Sequence, residues 1–237
     1  MSEGKSEPTD KAPEVLINPI VAAAHELKTP LTIIAHIAAC LEDDLFAMSP
    51  GERRESIQRI RLSAERTLRL AQGLTVSQQL NDGQLGLGFA LEPLNIAQLC
   101  EEAIDEMLPF ARAQDQRFML KKPTSPQLAV GNRELLRSVL FNLLDNAVKH
   151  NPPEQAIHIQ LGGHRGMVRF AVQDNGPSLK SKDVQHLSQT IGRELQPIRG
   201  RAGNSGLGLY ITGQMLKVMG GRLSVRSVSV GTSFFVD

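Results

Sequence analysis

His25 is followed directly by Glu26 and, one helical turn on, by Thr29 and Pro30. An imidazole is a nucleophile whenever its attacking nitrogen is neutral. Much later in the chain, Asn142, Asn146 and Lys149 recur at steps of four and three, which sets two amides and an ammonium on one helical stripe. Amide oxygens suit hard Mg2+, which takes few protein ligands and fills its shell with water and phosphate, while an ammonium meets phosphate oxygens. Further on, Gly203, Gly206 and Gly208 lead straight into an apolar helical run. Glycines there permit tight torsions and close approach, and a helix start aims backbone amides and the positive dipole end at an anion. Asp174-Asn175-Gly176 closes a β-rich run and offers a carboxylate acceptor. Each piece alone is ordinary: a surface histidine, a polar helix face, an Asp-x-Gly turn. Together a nucleophile, a magnesium-type amide set and a phosphate-type glycine turn are the groups that a phosphoryl transfer needs.

These groups need rigid elements to hold them. Ile20, Ala24, Leu27, Leu31, Ile34, Ala38, Leu41 and Leu45 recur at alternating steps of four and three, a heptad seam. Ser49-Pro50-Gly51 breaks it, and Ile57, Ile60, Ala64, Thr67, Ala71 and Leu74 repeat the pattern in a second helical run from about Glu52 to Leu80. Two such helices predict an antiparallel hairpin. Neither apolar face is wide enough for a lone pair, so the expected solution is a four-helix bundle in a homodimer, with a monomeric hairpin packed on its own second domain as the alternative. A seam through Ala24, Leu27 and Leu31 turns His25, Thr29, Thr32 and His36 toward solvent. Pro30 removes one helical hydrogen bond and is expected to bend the helix just after the histidine.

Residues 1–13 carry too little apolar surface to order themselves and read as a flexible arm. The hairpin then occupies 14–82, the glycine-rich stretch from Asn81 to Gly88 marks a boundary, and 83–237 mixes helices and strands. Strands are expected at Phe89 to Leu94, Arg117 to Lys121, Gln127 to Val130, Ala156 to Leu161, Met167 to Gln173, Arg222 to Val228 and Thr232 to Val236. Helices are expected at Ile96 to Ala113, Arg133 to Lys149 and Leu207 to Met219. The fold class is α+β: a helical hairpin followed by an α/β sandwich.

The run from His25 to Leu31, the stretch Asn142 to Lys149 and the turn Gly203 to Leu209 resemble the H, N and G2 boxes of sensor histidine kinases, which join a HisKA-type phosphoacceptor hairpin to a GHKL-type ATPase domain. The resemblance covers roughly Asn18 to Val236. It implies that His25 is the phosphoacceptor, that Glu26 orients its ring and accepts its proton, and that Thr29 holds water when the partner is dephosphorylated. It implies that Asn146 ligates Mg2+, that Asn142 and Lys149 lie near the phosphates of ATP, and that Asp174, with Gly176, meets the adenine amino group. The G1 pattern is altered, since Pro177-Ser178 follow Gly176 where a second glycine is usual. No F-box aromatic lies between Leu187 and Arg201, and His150 stands where an aromatic residue is common. The resemblance makes the stretch between Ser178 and Ala202 an ATP lid, from which Arg199 and Arg201 are candidates to reach phosphate. The implied partners are a second copy of the chain, a response-regulator receiver domain and a separate sensor domain or protein.

Composition excludes several other classes. The 26 basic residues nearly balance 25 acidic ones, so no global field favours nucleic acid. Cys40 and Cys100 match no metal or redox spacing and read as reduced core thiols. No stretch reaches the ~18 to 20 apolar residues of a membrane span, nor is a signal-peptide region present, so a cytoplasmic location is expected. Two rival readings remain: a dimeric pseudokinase scaffold or phosphatase-biased regulator with weak nucleotide binding, and an ATPase of the chaperone or mismatch-repair type, which the His-Glu-x-x-Thr-Pro hairpin disfavours.

Overall fold

The computed structural model describes residues 19–44, 47–83, 89–164, 166–191 and 206–237. The hairpin comprises α1 (Pro19–Asp44) and α2 (Pro50–Asn81). Ser49 caps α2 in a reciprocal box: its hydroxyl accepts from the Glu52 amide at 3.3 Å while its own amide donates to the Glu52 carboxylate at 2.8 Å. With Pro50 in the first turn, where its missing N–H costs nothing, the helix starts just before the predicted Glu52. α1 runs unbroken through Pro30.

The chain by itself covers the predicted seam only in part. Within one chain, α1 buries Ala22, Ala23, Pro30 and Ile37, whereas Ala24 and Leu31 are exposed. On α2, Leu62, Leu70, Gly73, Val76 and Ser77 are buried, and Ile57 and Ala71 are exposed. The reason is a neighbour that the heptad count ignored: the helix α6 (Leu207–Val218) of the second module packs along α2. Leu45 lies outside the described residues.

The second module begins with β1 (Glu92–Asn95), shorter than predicted, because only these residues pair with β3 (Leu128–Gly131). The main sheet has the order β2-β4-β5-β7-β6, formed by β2 (Arg117–Lys121), β4 (Ala156–His164), β5 (Met167–Asp174), β6 (Leu223–Ser227) and β7 (Thr232–Val236). β2 runs parallel to β4 and every other pair is antiparallel. The glycines 162 and 163, beyond the expected end of this strand at Leu161, pair with Arg169 and Val168 and extend β4. A helix absent from the sequence reading, α5 (Ser181–Thr190), occupies the first part of the expected lid. Its apolar residues are sparse, and only Leu187 and Thr190 are buried.

α3 (Ile96–Arg112), α4 (Arg133–His150) and α6 pack on the sheet through Leu99, Met107, Leu140, Leu144, Ile157, Ile211 and Met215, all almost inaccessible. The caps are local: Asn95 accepts from the Gln98 amide and Asn132 from the Leu135 amide, as short polar side chains do at helix starts. Arg133 pairs with Glu102 and Arg137 with Glu106, tying α4 to α3. Cys100 is fully buried, and burial pushes its thiol up to about 12. It is a core residue, whereas Cys40 is half-buried. No helix among the described residues is long and apolar enough to cross a membrane.

Candidate functional site

A cavity of about 250 Å3 opens between hairpin and second module. α1 contributes Glu26, α2 contributes Arg66 and Leu70, α4 contributes Phe141, Asn142, Asp145, Asn146, Lys149 and His150, and the start of α6 contributes Gly208. The helical stripe expected of Asn142, Asn146 and Lys149 therefore faces one opening. Its other side explains why: Leu136, Val139, Leu140, Leu143, Leu144 and Ala147 are buried in the core, which fixes the rotation of α4.

The polar groups are oriented. Asn142 Nδ2 donates to Thr212 Oγ1 at 3.4 Å, and that hydroxyl in turn donates to the Gly208 carbonyl at 2.8 Å. Spending the amide nitrogen on α6 turns the amide oxygen away from it. Lys149 donates to Asp145 at 2.6 Å across one helical turn. Burial alone would raise the Asp145 carboxyl, but Lys149 and Arg66 beside it outweigh that and hold it below the usual carboxylate range. Arg66 Nη2 lies 3.7 Å from Glu26 and 3.6 Å from Asp145, so one guanidinium bridges the acceptor helix and the amide-bearing helix.

At the glycine turn, Gly206 adopts φ 77°, the left-handed region that disfavours any side chain. A Cβ on Gly208 would meet nothing within 4 Å, so the helix start borders open space of the kind a phosphate requires. The donor set on α4 and this open cradle fit a magnesium-bound polyphosphate, with Asn142 and Asn146 supplying oxygen and Lys149 positive charge. Gly203, Arg199 and Arg201 lie outside the described residues.

Asp174 is buried at the end of β5, and its Oδ1 accepts from the Gly176 amide at 2.9 Å. Gly176 abuts the end of α4: a Cβ there would lie 2.2 Å from the His150 carbonyl oxygen. Asn151 locks this corner by accepting from the Asn175 amide at 2.8 Å. Gln116 donates to the Asn151 carbonyl at 2.7 Å and to that of Val148 at 3.1 Å, binding the last turn of α4. Gly231, at φ 90°, presses on the Asp174 carbonyl so closely that no side chain fits. Asn151, Gln116 and Gly231 were not singled out in the sequence, where each reads as an ordinary loop residue.

His25 and Thr29 are exposed on α1 and do not line the cavity, whereas their neighbour Glu26 does. His36 is exposed as well, with Nε2 3.9 Å from the Cys40 sulfur. The two modules meet through several specific contacts. Ser77 and Tyr210 share a hydroxyl hydrogen bond of 2.8 Å. The Arg69 guanidinium stacks 3.4 Å from the centroid of Phe141. Burial pushes Arg69 down to about 10, so it stays charged at neutral pH.

Residues 21–81 match the family described as His Kinase A (phospho-acceptor) domain, and residues 131–237 match that described as Histidine kinase-, DNA gyrase B-, and HSP90-like ATPase. The chain is 27% identical over 220 residues to the circadian input-output histidine kinase CikA of Synechococcus elongatus, covering 92% of this chain and 29% of that protein. It is 29% identical over 216 residues to the sensor histidine kinase YvrG of Bacillus subtilis, covering 90% and 36% respectively. It thus spans well under half the length of these relatives. Among solved structures, the fold is similar to that of the Acinetobacter baumannii histidine kinase AdeS, with a TM-score of 0.57, 16% identity and coverage of 90% of this chain and 95% of that one. The catalytic domain of the histidine kinase ThkA gives a TM-score of 0.54 at 20% identity, covering 62% of this chain and 94% of that one.

Proposed function

The chain belongs to the two-component sensor histidine kinases, and on that premise we propose that it is an ATP:protein-histidine phosphotransferase core with His25 as acceptor. In this reading Asn142, Asn146, Lys149 and the turn around Gly206 and Gly208 hold Mg-ATP by its phosphates, with Asn146 as the protein ligand of the metal, and Asp174 reads the adenine amino group. Bound Mg2+ neutralises charge on the phosphates, and the remaining work is positioning. The neutral ring nitrogen of His25 bonds to the terminal phosphorus, the bond to ADP breaks, and Glu26 takes the proton released from the ring. An aspartate of a response-regulator receiver domain then removes the phosphoryl group from His25. Thr29 serves the reverse duty, holding water for dephosphorylation of that regulator. The core acts as a homodimer in the cytoplasm, with 14–82 as dimerisation and acceptor hairpin and 83–237 as the ATP-binding unit, and takes its signal from a separate sensor segment or protein; the arm expected at 1–13 lies outside the described residues.

The observation that carries this reading is that Glu26, next to the acceptor histidine, lines the same cavity as Asn142, Asn146, Lys149 and Gly208. Acceptor helix and phosphate-type groups share one opening. The test is incubation with Mg-ATP radiolabelled at its terminal phosphate. Wild-type protein is expected to acquire an acid-labile, alkali-stable phosphoramidate, and His25→Gln to lose the label while still binding nucleotide in calorimetric titration. Label that survives in H25Q, or that resists acid, excludes His25 as the acceptor.

A further inference from the structure

Arg66 belongs to none of the motifs that mark the nucleotide site. It sits on α2, in the hairpin, yet its side chain lines the cavity together with Asn142, Asn146 and Lys149. Its surroundings are unusual for a paired arginine. Glu26 and Asp145 flank it at 3.7 and 3.6 Å, beyond the roughly 2.7 to 2.9 Å of a charge-assisted hydrogen bond. Lys149 has taken the direct bond to Asp145, at 2.6 Å. Arg66 is thus held between two carboxylates by charge rather than by fitted hydrogen bonds, with its side chain 30% exposed. A partly exposed pair of that kind contributes little stability and is cheap to rearrange.

Resting on the reading of this cavity as an ATP site, we infer that Arg66 is a positioning residue for the terminal phosphate: the hairpin supplies it to the nucleotide pocket, and it turns from Glu26 and Asp145 to the γ-phosphate when a triphosphate is present. Three features support this. The four charged side chains of the cavity, Glu26, Asp145, Arg66 and Lys149, sum to zero, so an entering polyphosphate needs a cation to change partner. Arg66 is the cation least committed by hydrogen bonds. A guanidinium also presents a planar fork that matches two phosphate oxygens at once, which an ammonium cannot do. Because Arg66 sits on the hairpin, the contact would register the terminal phosphate against the acceptor helix, which is what transfer requires. A diphosphate has no such group and leaves Arg66 on its carboxylates.

The inference predicts discrimination between ADP and a triphosphate. Calorimetric titration of the full chain with Mg-ADP and with the non-hydrolysable triphosphate Mg-AMPPNP measures it directly. In Arg66→Ala, AMPPNP affinity is expected to fall ~10-fold, the scale of one charge-assisted hydrogen bond, while ADP affinity stays within about twofold. Arg66→Lys, which keeps the charge but loses the fork, should fall between wild type and R66A. Autophosphorylation should show a lower kcat together with a raised KM for ATP. Retained ADP affinity in each variant certifies its folding. An unchanged ratio of the two affinities in both variants, whether neither falls or both fall together, overturns the inference and leaves Arg66 as a docking contact. If the wild-type chain binds neither nucleotide, the ATP-site reading itself fails, a result distinct from a wild type that binds both and variants that do not discriminate.

Discussion

Asp237 shows how a single carboxylate couples this structure to pH. It closes a fork with Arg169, whose Nε and Nη2 both donate to it, at the end of the sheet next to β7. Those hydrogen bonds hold its carboxyl below the ordinary 3.8. The folded state therefore binds that proton more weakly than the unfolded chain, so the contribution to stability is complete above the unfolded value and vanishes as pH falls through the folded one. Asp237→Asn is expected to lower the free energy of urea unfolding by about 1 kcal/mol at neutral pH, and the gap to wild type should narrow as pH falls below the ordinary 3.8. An equal gap at neutral and at acid pH would mean the fork is not the source. At this same scale the sequence was most readable where spacing alone decides orientation. Asn142, Asn146 and Lys149 occupy one stripe for any helical backbone, so their convergence was legible. Arg66 was not, because an arginine on a long charged helix is normally solvated and nothing local marks the cavity that a distant segment builds over it.

Helix α2 carries two working faces, and only one of them was visible in the heptad pattern. The expected seam recurs at steps of four and three, whereas Gly73, against Ile211, and Ser77, bonded to Tyr210, belong to a second face whose partner is α6. Small residues on that face look like weak helix positions until the neighbour is known. Gly73 is the clearest case: a Cβ there would lie 2.2 Å from Ile211 Cγ2, and Ile211 is completely buried. Gly73→Ala thus sets two effects against each other. In an isolated helix alanine gains up to about 1 kcal/mol over glycine, whereas overpacking a closed interface costs about 1 to 3 kcal/mol. The expected outcome is net destabilisation in chemical unfolding of the full chain. A stabilised G73A would show that α2 and α6 are apart in solution. Element types and most strand positions were readable for the ordinary reason that their apolar periods differ, while α5 was missed because its apolar residues are too few to show a period.

For the molecule as a whole, the hairpin leaves apolar side chains uncovered even with α6 in place. Val21 is 64% exposed, Leu31 50%, Ile57 60% and Leu68 63%. A second copy would cover such a strip in the four-helix bundle that the narrow heptad faces also call for. Sedimentation of the full chain is expected to give the mass of two chains, and the double variant Leu31→Asp, Leu68→Asp to shift it toward one. A wild type that sediments as one chain at micromolar concentration rejects the bundle. What the apolar pattern could not convey is the orientation of the second module, since that depends on contacts such as Ser77 with Tyr210 and Arg69 with Phe141, between residues far apart in the chain. Helix α6 has its start at the glycine turn beside the cavity, the cradle of the proposed nucleotide site, and its flank on the hairpin stalk. Reciprocity then follows without further machinery. If filling the cradle tightens the grip on the stalk by some factor, a torque that loosens that grip must expel nucleotide by the same factor, so mechanical strain and ligand occupancy become two gauges of one quantity.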